Sequence, residues 1–137
     1  MKKILLSAFV LGSFLTFAQT NVSTSPENKN VVLEEFTGIS CPYCPDGHVI
    51  AQGIKDNNPG DVMLINIHTG GYATPQGPGT DFNTNFGAAL ATNANVSGYP
   101  TGSVNRDGAA MSRSSWASAT ANQLSQPSPR TIIINIE

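Results

Sequence analysis

Charge, cysteine and histidine are all scarce in this sequence. Charged residues make up 12% of the 137 positions, 7 Lys+Arg against 9 Asp+Glu, for a net charge of −2. This excludes a charge-rich disordered tail and a charged coiled coil. It also leaves no basic footprint for nucleic acid. Two cysteines make at most one bridge, so a disulfide-dense miniprotein is excluded as well. The 13 Gly and 9 Pro fall far short of a collagen, and no internal repeat is present. The length fits one domain with little to spare.

What is there begins with an address. Met1-Lys2-Lys3 is a short basic start, followed by the uncharged run Ile4 to Ala18. That run is shorter than the roughly 20 residues a spanning helix needs. Thr16 and Ala18 are small residues placed for cleavage after Ala18. Residues 1–18 therefore read as a secretory signal peptide, with an uncleaved anchor as the alternative. Export puts the cysteines in an oxidising compartment, where a disulfide persists. The expected locations are the periplasm, the outer membrane or the cell exterior.

Residues 19–30 are polar and aperiodic, a tether. Val31 to Phe36 is apolar on both faces for most of its length, as a central strand is. Pro45 to Asp56 can form a helix, with Val49, Ile50 and Ile54 as its stripe and Pro45 in its first turn. Val62 to Ile67 reads as a second buried strand, which makes a βαβ unit and a parallel pair. Residues 69–80 are a Gly/Pro-rich loop. Asp81 to Thr92 carries Phe82, Phe86, Ala89 and Leu90 at helical spacing, and both phenylalanines are expected in the core. Gly102–Arg106 and Ala109–Met111 suggest a hairpin turning at Asp107-Gly108. Ser112 can cap a helix reaching Leu124, with Trp116 and Leu124 on one face. The domain is expected over 31–126. Residues 127–137 then hold a linker and a bare strand at Thr131–Ile136. That strand implies either a truncated chain or a partner elsewhere.

The chemistry lies in Cys41-Pro42-Tyr43-Cys44. Two cysteines three apart at a helix start can close a small disulfide ring. The unpaired N–H groups and positive dipole of the helix end favour a thiolate on Cys41. Cys41 would then attack through a mixed disulfide, which Cys44 resolves. Catalysis of this kind expects Cys41 to be exposed. Glu34 and Glu35 alternate across the first strand, so a central strand turns one of them inward, where burial raises its pKa. The alternative is an edge strand with both acids solvated.

The order strand, Cys-x-x-Cys, helix, strand, helix, Gly98-Tyr99-Pro100-Thr101, hairpin, helix resembles the thioredoxin superfamily. The resemblance implies an α/β thioredoxin-like fold, a central mixed sheet flanked by helices. The long interval before Pro100 implies an insertion ahead of the cis-proline segment. It further implies that Glu35 is a buried acid relaying a proton to Cys44 and that Pro100 is cis. Pro42, Tyr43, Tyr99, Pro100 and Thr101 would face a bound peptide. More narrowly, Glu34 to Pro45 with a signal peptide resembles the outer-membrane-protein-28-like proteins of Bacteroidetes, whose thioredoxin-like part precedes further β-rich sequence. Ser40 stands where thioredoxins carry Trp, and basic glutathione-binding residues are not evident.

The expected function is an exported thiol–disulfide oxidoreductase without cofactor, acting on cysteine-containing exported proteins and served by a redox partner, with outer-membrane association. Two rivals stand beside it. One is a non-catalytic thioredoxin-fold module with an inert disulfide. The other is a copper or zinc carrier, because Cys41, Cys44, His48 and His68 are the only Cys and His residues. His48 otherwise reads as a partly exposed helix residue.

Overall fold

The computed structural model describes residues 27–129. The expected signal peptide, residues 19–26 of the tether and the expected strand at 131–136 lie outside the described residues. The elements run β1 (Val31–Thr37), α1 (Cys44–Asp56), β2 (Val62–His68), α2 (Asn85–Asn93), β3 (Thr101–Val104), β4 (Met111–Ser112) and α3 (Trp116–Leu124). A short 3-10 turn at Arg113–Ser115 leads into α3. The strands form one mixed sheet in the order β2-β1-β3-β4. β1 runs parallel to β2, with Val31 opposite Val62 and Thr37 opposite His68. β3 is antiparallel to β1, and β4 to β3. This is a thioredoxin-like α/β fold, with helices on both sheet faces and residues 69–84 inserted between β2 and α2.

The period-2 alternation of β1 distributes its side chains between two cores. Val31 and Leu33 join Ala51, Ile54, Val62, Val104 and Trp116 beneath α1 and α3. Phe36 joins Ile67 and Ala94 on the opposite face, beneath α2. Trp116 fits because residue 102 is glycine: a Cβ there would stand 2.7 Å from the indole Nε1. That Nε1–H donates to the Met111 carbonyl at 3.1 Å. Residues 27–30 lie along 126–128, joined by an isolated bridge between Asn28 and Pro127 and by Lys29 N–H to the Gln126 carbonyl at 2.9 Å.

Four expectations need correction. The buried stripe of α1 is Cys44, Gly47, Ala51 and Ile54, while Val49 is 72% exposed. The small residues Gly47 and Ala51 let the helix approach the sheet closely, which an apolarity pattern does not register. Among the described residues β2 is an edge strand rather than a buried one, with Met63 and Ile65 exposed. Both side chains lie on the sheet face opposite α1, and α2 covers only the far end of that face. α2 starts at Asn85, capped by Thr84, whose hydroxyl accepts from Gly87 N–H at 2.9 Å. Phe82 therefore falls in the preceding loop and Phe86 is 83% exposed, so neither is core. The β3–β4 connection turns at Asn105-Arg106, both left-handed, and not at Asp107-Gly108. The Asp107 N–H closes that turn onto the Val104 carbonyl at 3.0 Å. Arg106 adopts this uncommon backbone where its guanidinium clasps Glu34.

Candidate active site

The carboxyl end of β1 and the amino end of α1 build the site. Gly38 follows β1 with its Cα against the Tyr72 backbone, a space no side chain can share. The chain then turns twice, with Cys41 N–H donating to the Gly38 carbonyl at 3.2 Å and Cys44 N–H to the Cys41 carbonyl at 3.4 Å. Cys41 and Cys44 are joined in a disulfide, their Cα atoms 5.4 Å apart. Cys44 opens α1, and Tyr43 at the cap makes no side-chain capping bond. The positive end of the helix dipole lies beside the sulfurs, with the Cys44 N–H given to the Cys41 carbonyl and no N–H on Pro45. Asp46 in this first turn opposes that field. Arg113 binds its carboxylate at 2.5 Å and offsets it.

The two sulfurs differ in access. Cys41 is 5% exposed and Cys44 1%. Cys41 is the more reachable, as an attacking cysteine is, but it is far more covered than the sequence led us to expect. Residues 69–84 dock against Gly38 and Ser40, just ahead of Cys41. The Tyr72 carbonyl accepts from both the N–H and the hydroxyl of Ser40, each at 3.0 Å. Asn83 then ties the loop together by donating to Gly70, Thr74 and Asp81. Ser40, Tyr72, Thr74 and Pro75 line a groove of about 310 Å³ next to the disulfide loop. Ser40, in the place of a thioredoxin Trp, serves as the anchor for this inserted loop.

The expected substrate-facing residues fall into two groups. Pro42 and Tyr43 are exposed on the disulfide loop. Tyr99-Pro100 is a cis peptide, as the resemblance implies. Pro100 is buried against Gly47, where an added Cβ would meet its ring at 2.9 Å. Tyr99 packs edge-on against Tyr72 with ring centroids 5.7 Å apart. Thr101 starts β3, its hydroxyl donating to the Gly98 carbonyl at 3.0 Å.

β1 is central, so its two acids are not solvated. Glu34 goes to the α2 side, where Arg106 holds it. Glu35 goes to the α1 side and is 1% exposed. Its Oε2 pairs with His48 Nδ1 at 2.8 Å, while its Oε1 is buried without a partner. That oxygen lies beside Gly47, one helical turn after Cys44, and a Cβ on residue 47 would stand 2.5 Å from it. Burial pushes the Glu35 carboxyl above its ordinary value of 4.5, and the hydrogen bond and charge of His48 draw it part of the way back. His68 goes elsewhere, its ring stacked on Phe82 at 5.3 Å. Among the described residues no three His, Cys, Asp or Glu side chains are grouped to hold a metal ion, so His48 and His68 are not brought together with the cysteines as ligands.

No protein-family model matches the chain, and no curated protein matches it either. The site therefore rests on its own geometry, from which two predictions follow directly. Gly47→Ala forces a methyl onto Glu35 Oε1 and the Pro100 ring, and overpacking of this kind costs about 1–3 kcal/mol. Urea denaturation should show a correspondingly lower midpoint with an unchanged slope. The second concerns pH. A carboxyl whose folded-state pKa is raised holds its proton more tightly when folded than when unfolded. Its contribution to stability is complete below 4.5 and is lost as pH rises through the raised value. Glu35→Gln should flatten the stability profile over that window, measured by urea titration at successive pH values.

His48 is a partly exposed helix residue, as the sequence reads, with its side chain 40% exposed, and what the sequence reading misses is its bond to Glu35. Its distance from Cys44 is the available signal. At i+4 it returns to nearly the same helix face, which looks down on β1.

Proposed function

We propose that this chain is an exported thiol–disulfide oxidoreductase that exchanges disulfides with cysteine-containing extracytoplasmic proteins. One observation carries the reading: Cys41 and Cys44 close a disulfide at the start of α1, the same helix that holds His48 bonded to the buried carboxyl of Glu35. In the reduced protein the dipole of α1 favours the Cys41 thiolate. That thiolate attacks a substrate disulfide, forming one S–S bond and releasing one substrate sulfur as a thiolate. Cys44 gives its proton to Glu35 and attacks Cys41, closing the protein disulfide and releasing the second substrate thiolate. The two electrons leave with the substrate, whose thiolates take protons from solvent. The reverse sequence oxidises a substrate dithiol. Pro42, Tyr43, Tyr99, Pro100 and Thr101 position the substrate backbone in this scheme.

Export follows from the run Ile4 to Ala18. The motif Glu34 to Pro45, which resembles that of the outer-membrane-protein-28-like proteins, supports a reaction in the periplasm, at the outer membrane or outside the cell, with a separate redox partner. Among the described residues no helix is long and apolar enough to cross a membrane. The test is turnover: the purified protein should accelerate reduction of insulin by dithiothreitol or refolding of a scrambled disulfide protein. No acceleration in either assay overturns the proposal.

The low exposure of Cys41 favours a second reading, a thioredoxin-fold module whose disulfide does not turn over. Such a bridge would resist dithiothreitol in the folded protein. The oxidoreductase reading requires that it open without unfolding.

A further inference from the structure

The exchange chemistry leaves a proton inside the protein. Glu35 is 1% exposed, so a proton taken from Cys44 cannot pass from its carboxyl straight to water. The two oxygens are placed unequally. Oε1 is buried and unpartnered beside Gly47 and Pro100, while Oε2 is bonded to His48. The His48 side chain is 40% exposed. Its other nitrogen, Nε2, lies 3.5 Å from the Thr37 hydroxyl.

We propose that His48 is the solvent-side proton relay of Glu35, a positioning residue that draws the proton off the buried acid as the resolving step proceeds. The proposal rests on the oxidoreductase reading. When Glu35 is protonated, it donates to His48 Nδ1. The imidazole takes that proton and loses the one on Nε2 to water, and rotation or exchange restores the starting tautomer. No electrons move, and the net result is one proton carried from Cys44 to bulk solvent. In the opposite direction of exchange, the same path brings a proton in to the departing Cys44 thiolate.

Other ionisable groups around the pair are already engaged. Glu34 is on the opposite sheet face with Arg106. Asp46, on α1, is paired with Arg113. His68, opposite Thr37 on β2, lies tilted against Phe82 with its Nδ1 buried and unpartnered, and it makes no bond to Glu35 or His48. Asn66 of β2 and Gly102 of β3, which flank Glu35 in the sheet, carry no charge. Cys44 itself is the remaining titratable neighbour on α1. Among the described residues His48 is thus the one side chain bonded to the buried acid, and its side chain is 40% exposed.

The experiment follows the resolving step alone. The reduced protein is mixed with 5,5′-dithiobis(2-nitrobenzoate), whose disulfide Cys41 attacks to form a mixed disulfide and release one nitrothiolate. Cys44 then expels the second, and stopped-flow absorbance separates the two phases. In His48→Ala the second phase should slow by about tenfold or more near neutral pH, a share of the usual general acid–base contribution. The first phase should be unchanged. Imidazole added to the buffer should restore the second phase, because the vacated space opens to solvent. His48→Gln, which keeps a hydrogen bond but cannot relay, should be slow without rescue and serves if the alanine variant does not fold. A second phase at the wild-type rate in both variants, across acid to alkaline pH, overturns the relay while leaving the exchange reading intact. Slowing that imidazole does not relieve in the alanine variant also overturns it, since that is a packing effect. Absence of any second phase in the wild type sinks the oxidoreductase reading itself.

Discussion

Cys41→Ser will bring turnover down to the uncatalysed background, a loss of at least about 10³-fold. The reason lies in where each sulfur sits. Only a thiolate attacks a disulfide, and lowering a thiol pKa from about 8.5 to about 7 raises the thiolate fraction at pH 7 from roughly 3% to roughly half. The helix end provides that bias at Cys41, and a serine hydroxyl gains nothing comparable from it. Cys44 cannot substitute, because it opens α1 with 1% of its surface exposed. The fold should survive the change. The ring spans a sequence separation of 3, and closing so short a loop contributes about 2 kcal/mol by chain entropy. Insulin reduction and urea denaturation of the same preparation check both halves. Activity retained in the serine variant would remove Cys41 from the mechanism.

Trp116→Ala is the substitution expected to cost most in stability. Trp116 is fully buried at the junction of β1, β3 and α3, packed with Val31, Leu33, Ile54 and Val104. Truncating a buried tryptophan costs about 3–5 kcal/mol through lost transfer energy and the cavity left behind. The Met111 carbonyl also loses its indole donor, and an orphaned buried acceptor adds about 1–3 kcal/mol. A domain of this size holds about 5–15 kcal/mol in total, so the variant should be marginal or unfolded at room temperature. Trp116→Phe restores most of the apolar contact and should recover much of the loss. Because Trp116 is the sequence's one tryptophan, far-UV circular dichroism rather than fluorescence is the measurement. A midpoint within about 1 kcal/mol of wild type would contradict this account of the core.

The parts of the fold legible in the sequence were those in which one periodicity dominates. β1 is apolar on both faces because it is central, and the helix after Cys44 follows from Pro45 and the Asn57-Asn58-Pro59-Gly60 stop. The pattern misled where apolarity and burial part company. Met63 and Ile65 belong to a strand whose outer side has no neighbour among the described residues. Nothing local in Val62–Ile67 distinguishes an edge from a centre. Val49 looked like core and Ala51 did not, because a close helix–sheet approach selects small side chains. Phe86 matches a helical stripe, but the helix starts at Asn85 and turns Gly87 rather than Phe86 onto the end of β2.

The candidate site divides in the same way. The cysteines, Glu35 and Pro100 could be named from motif order. The bond from Glu35 to His48 could not, since it depends on the rotation of α1 over β1, which Gly47 allows. How residues 69–84 fold back against Ser40 is set by Asn83 and Ser40 bonding to backbone carbonyls 13 and 32 residues away. Such long-range polar pairings leave no periodic trace.

The clasp between residues 27–30 and 126–128 sets both ends of the described domain at one pole. They meet where β1 begins, at Val31. The disulfide lies past the opposite end of that strand, about 20 Å away at the rise of an extended chain. A fluorophore, surface tether or reporter grafted at either end would therefore sit on the far hemisphere. The described domain could be held at residues 27 and 129 at once with its disulfide at the opposite end.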